Sequence, residues 1–63
     1  MSATKILDQA QKLNGVSNRL DALAEQYPVA SEPLLVIAGS IRDSAVLLEM
    51  LVATKISPPS ALQ

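Results

Sequence analysis

The side chains able to do chemistry in this 63-residue sequence are six carboxylates, five cations and ten hydroxyls; histidine and cysteine are absent. Without imidazole or thiol there is no residue that titrates near neutral pH by default and no nitrogen or sulfur donor for zinc. No Ser–His or Cys–His nucleophile pair is possible. The closest approach to catalytic patterning is Asp21 and Glu25, spaced to share one face of a helix. Paired carboxylates do acid–base work when buried together, but these two share a polar face with Asn14 and Asn18. They read as solvated surface. The sequence has no Glu-x-x-His element for a carboxylate-bridged metal pair and no glycine-rich phosphate loop. The expectation is a chain that is not an enzyme and carries no cofactor or metal.

A second chemical possibility lies in the cations. Lys5, Lys12 and Arg19 recur every seven residues, along one edge of a helix. Doubled by a second copy, such a row could meet RNA phosphates, and an RNA-binding helical-hairpin regulator is one alternative reading. Against it, Asp8 is placed to pair with both Lys5 and Lys12. Tyr27 is the lone aromatic, so no ring interleaves for base stacking. The net charge is −1 and the pI about 5.0, whereas a generic polyanion binder is basic. Nucleic acid is therefore disfavoured, and the row reads as a solvated flank that steers helix pairing.

The elements that carry these residues follow from hydrophobic spacing. Leu34, Ala38, Ile41, Ala45, Leu48 and Val52 recur at alternating steps of four and three, a coiled-coil-type seam. Beside it runs a second seam of Ile37, Ser40, Ser44, Leu47 and Leu51. At about 100° per residue, the two seams cover an arc of roughly 180°. One neighbouring helix covers only part of that arc. A further row on the outer face, Leu35, Val46, Met50 and Ala53, interrupts the charges Arg42, Asp43 and Glu49. In the other half of the chain, Ile6, Leu13, Leu20 and Tyr27 repeat at seven, with Val16 and Leu23 one row over. The small residues Ala10, Ser17 and Ala24 form a close-packing stripe.

These patterns predict one all-α domain over residues 1–56: helix 1 about 3–26, a turn at 27–31 and helix 2 about 32–56. Ser2 is the expected cap of helix 1, and Asn14-Gly15 is a tolerated soft spot or a break in it. Pro28 stops helix 1, Ser31 is placed to cap helix 2, and Pro33 sits in its first turn. The short connection makes the helices antiparallel neighbours. Folding the chain at the turn sets Leu20 against Ala38, Val16 against Ile41, Leu13 against Ala45, Ala10 against Leu48 and Ile6 against Val52. Residues 57–63 contain Pro58-Pro59 and form a tail that cannot continue the helix.

A domain this small is marginal alone, and with no cysteine and no imidazole the remaining support is oligomerisation. The second seam predicts the same thing. We expect two antiparallel hairpins to dimerise into a four-helix bundle, with Ile37, Ser40, Ser44, Leu47 and Leu51 at the interface, helix 2 of each copy at the centre, and Gly39 easing a close crossing. The function class is then a small homodimeric interaction or adaptor protein. The alternative partner is a larger protein on which apolar helix 2 docks as an accessory subunit, the row Leu35, Val46, Met50 and Ala53 being the best surface for it. Arg42, Asp43 and Glu49 argue against a membrane span for 34–56. The first residues lack the apolar stretch of a secretory signal. With no cysteine, the expected setting is cytoplasmic.

Overall fold

The computed structural model describes residues 2–56, which are helical apart from Ser2 and Tyr27 and contain no strand. Helix α1 runs Ala3–Gln26 and helix α2 runs Ser31–Leu51. They pack as an antiparallel hairpin around a single-turn 3-10 segment, Pro28–Ala30. The tail expected at 57–63 lies outside the described residues.

Helix α1 is unbroken through Asn14-Gly15. Its neighbours supply enough helix formers to carry one glycine, whose cost is about 1 kcal/mol. Ser2 occupies the cap position with extended φ −95° and ψ 124°, but its hydroxyl makes no capping bond. At the other end, Pro28 holds Tyr27 out of helical geometry at φ −125°, ψ 81°. The Tyr27 N–H still donates to the Leu23 carbonyl at 2.9 Å. Ala30 N–H then donates to the Tyr27 carbonyl at 2.9 Å, closing the 3-10 turn. That turn feeds directly into α2. Ser31 is therefore already helical, at φ −58°, ψ −52°, and Ala30 takes the cap position expected of Ser31. Beyond Leu51 the chain continues as one π-helical turn, Val52–Ile56. Thr54 Oγ1 donates to the Met50 carbonyl there at 2.8 Å.

The seam between the helices is a spine of small residues. Among the described residues, those buried are Ala10, Ser17 and Ala24 of α1, Ala38 and Ala45 of α2, and Val52. Ser17 Oγ donates to the Ala38 carbonyl at 2.9 Å, across the two helices. This bond fixes the register. Steps of seven from it set Ala10 level with Ala45, and Ala24 level with Ser31. Small residues therefore stand level with small residues, a register two to three residues away from the one that sets Leu20 against Ala38 and Leu13 against Ala45. The physical reason is backbone approach. Facing Ala and Ser side chains let two helices come close enough for a serine hydroxyl to reach the opposite carbonyl, which no Leu layer permits. The large residues Ile6, Leu13, Leu20, Leu34, Ile41 and Leu48 are half-buried beside the spine.

Candidate functional site

An antiparallel pair has two broad faces, and one ion pair tells them apart. Arg42 Nη2 reaches Asp21 Oδ2 at 2.7 Å from α2 to α1. Taking Ser17 and Ala38 as the directions in which the helices meet, Asp21 and Arg42 each lie about 40° round from that line, in the same sense. On this ion-pair face also lie Asn14, Leu7 and Glu25 of α1 and Gly39, Leu35, Val46 and Ala53 of α2. The half-buried large residues of α1 and α2 lean the other way, by roughly 20–80°. That second face is apolar on both helices. Beyond Leu13 and Leu20 it carries Gln9, Val16 and Leu23 of α1; beyond Ile41 and Leu48 it carries Ile37, Ser44 and Leu51 of α2.

The five residues of the expected interface are all exposed in the hairpin, Ile37 by 51%, Leu47 by 64% and Leu51 by 39%. Ile37, Ser44 and Leu51 edge the apolar face. Ser40 and Leu47 sit farther round, toward the side of α2 directly away from α1. Ser44 Oγ donates to the Ser40 carbonyl at 3.2 Å, a bond one turn back that satisfies the hydroxyl without a partner helix. What the sequence reading placed apart, and the hairpin brings together, is the α1 contribution. Val16 and Leu23 are exposed on the same face as the second seam of α2. Their position one row over from Leu13 and Leu20 was the available signal.

The row Leu35, Val46, Met50 and Ala53 is also exposed. Leu35, Val46 and Ala53 share the ion-pair face, so they flank Arg42 and Asp21 and do not extend the apolar face. Lys5, Lys12 and Arg19 are exposed along the outer margin of the apolar face. Lys12 Nζ lies 3.5 Å from Asp8 Oδ2, the (i, i+4) pairing expected of Asp8. Asp21 is committed to Arg42, while Glu25 remains at the surface. Among the described residues no three acidic side chains converge on a point that would suit a metal ion. A shallow indentation lined by Thr4, Leu7, Asp8 and Gln11 belongs to the surface of α1 alone. Among the described residues, no helix is long and apolar enough to cross a membrane. No protein-family model matches the chain, and neither a curated protein nor a solved structure does.

Proposed function

We propose that this chain is a small homodimeric helical interaction module, non-enzymatic, in which two hairpins close into a four-helix bundle. A cytoplasmic setting fits a sequence without cysteine. The observation that carries the reading is that the half-buried large side chains of the two helices lean to one face, while Leu7, Leu35 and Val46 stand exposed on the other. Two layers of secondary structure around an apolar core are the minimum for a stable domain, and the hairpin is one layer. Among the described residues, those buried are Ala, Ser and Val only, while Ile37, Leu51, Val16 and Leu23 are exposed on one face. Covering half-exposed aliphatic side chains contributes about 1 kcal/mol each, and a second layer is what covers them.

The test is the solution mass of the purified chain by light scattering, with circular dichroism on the same sample. A helical species of twice the chain mass that melts cooperatively is the expected result. A stable, fully helical monomer overturns the reading. A molten, polydisperse helical species overturns it too, in favour of an accessory subunit that folds on a larger partner.

A further inference from the structure

The apolar face spans both helices, and this bears on which element of a second copy covers α2. A 24-residue helix is about 36 Å long, and two helices side by side are about 20 Å wide, so one face of the hairpin offers roughly 700 Å². A stable dimer takes about 600–1,000 Å² from each partner. The outer row of α2 alone offers about half the face, too little for that; the full face meets it. The occupant must therefore cover Val16 and Leu23 of α1 together with Ile37, Ser44 and Leu51 of α2.

Two copies can stack such faces in two ways. In the first, α2 lies on the partner's α2 and α1 on the partner's α1. With the hairpins fully overlapped, the two copies of Lys12 then come within about one helical turn of each other beside the two-fold axis, with the two copies of Lys5 at either end of the same contact. Each Lys12 keeps its own Asp8 at 3.5 Å, so this like-charge contact is partly offset within each chain and disfavours the arrangement only modestly. In the second, the two-fold axis runs parallel to the helices, and each α1 lies on the partner's α2. No lysine then faces a lysine.

The second arrangement also has its register set in advance. Rotation about an axis parallel to the helices slides nothing along them, so residues level within the hairpin are level across the interface. The Ser17–Ala38 hydrogen bond anchors that level. Val16 then falls within about 3 Å in height of the partner's Ile37, Gln9 of the partner's Ser44, and Leu23 of the partner's Ala30. Apolar side chains meet apolar ones, and the Gln9 amide meets a serine.

We infer that the occupant of the apolar face is a second copy of this chain with its α1 seated on α2, pairing Val16 with the partner's Ile37 and Gln9 with the partner's Ser44. This rests on the homodimer reading above and adds the orientation to it. The chain has no cysteine of its own, so single introduced thiols report proximity without background. Val16→Cys and Ile37→Cys chains are mixed, refolded together and oxidised; a second mixture holds Ile37→Cys and Ser44→Cys. Light scattering on both establishes the mass before oxidation. The expected result is a reducible band of twice the chain mass, containing both variants, from the first mixture and none from the second. A link in the second mixture alone, or no link in either dimeric mixture, overturns the orientation while leaving the homodimer in place. A monomeric mass before oxidation overturns both.

Discussion

Ser17 is the polar side chain of the spine, fully buried, with its hydroxyl bonded to the Ala38 carbonyl. Two substitutions separate its two contributions. Ser17→Ala removes the hydrogen bond and keeps the close approach, so stability falls by about 0.5–1.5 kcal/mol. Ser17→Leu forces the helices apart along their tightest contact, and overpacking of this kind costs about 1–3 kcal/mol beyond the lost bond. Urea midpoints of the two variants check the order: Leu below Ala below the parent chain. Ile37 tests the opposite surface. Ile37→Glu sets a carboxylate into the proposed interface, where an unpaired buried charge costs about 3–5 kcal/mol. The expected outcome is a monomeric mass with most of the helical signal lost, and a folded dimeric Ile37→Glu protein would remove Ile37 from the interface. At this scale the sequence was legible as a pattern and illegible as a pairing. The spacing of Ala10, Ser17 and Ala24 showed a close-packing stripe. Nothing in spacing alone said whether that stripe would meet Leu or Ala, because the answer depends on how close the backbones come. The Arg42–Asp21 pair was hidden for the same reason: which acid of α1 a cation of α2 reaches is set by register.

The elements follow from local rules. Apolar residues at helical spacing, Pro28 at the turn and Pro33 within the first turn of α2 suffice to mark two helices and the break between them. The capping of α2 was less legible, because a 3-10 turn at Pro28–Ala30 advances the helix start by a residue and takes the cap away from Ser31. Gly15 gives a prediction at this scale. A Cβ built there meets nothing within 4 Å, and the backbone is helical with no positive φ. Gly15→Ala therefore stabilises α1 by about 0.5–1 kcal/mol, through the conformational freedom an alanine lacks when unfolded. Thermal melts check it, with the solution mass unchanged. Gly39 is equally open within the hairpin. It lies on the ion-pair face, away from the proposed contact, so the close crossing foreseen for it has no place in the α1-on-α2 arrangement.

For the molecule as a whole, the proposed dimer means that a hairpin whose buried residues, among those described, are Ala, Ser and Val draws further stability from the second copy that covers its large side chains. If folding and dimerisation are one event, stability depends on concentration. Tenfold dilution then removes about 1.4 kcal/mol of apparent stability, which for two such chains lowers the melting midpoint by about 5 °C. A midpoint that does not move with concentration identifies a self-sufficient hairpin. Two antiparallel helices were legible from the sequence because their pattern is local. The direction in which the large residues lean was not, since it is a property of two helices in a fixed register.

The level pairing of the two helices has a last consequence, which concerns symmetry. Ala10 and Ala38 stand twenty-eight positions apart, as do Leu13 and Ile41, Ser17 and Ala45, Leu20 and Leu48, and Leu23 and Leu51. The hairpin is thus an approximate two-fold repeat of one helical pattern, each half occupying the place of the other. Two copies on such a plan approach three mutually perpendicular two-fold axes, so both stackings of the faces are available to nearly the same backbone. The choice then belongs to positions where the halves depart from each other. Lys5, Lys12 and Arg19 correspond in the second half to Pro33, Ser40 and Leu47. On this view the cation row is what breaks the likeness, and it serves to tell one helix of the bundle from the other.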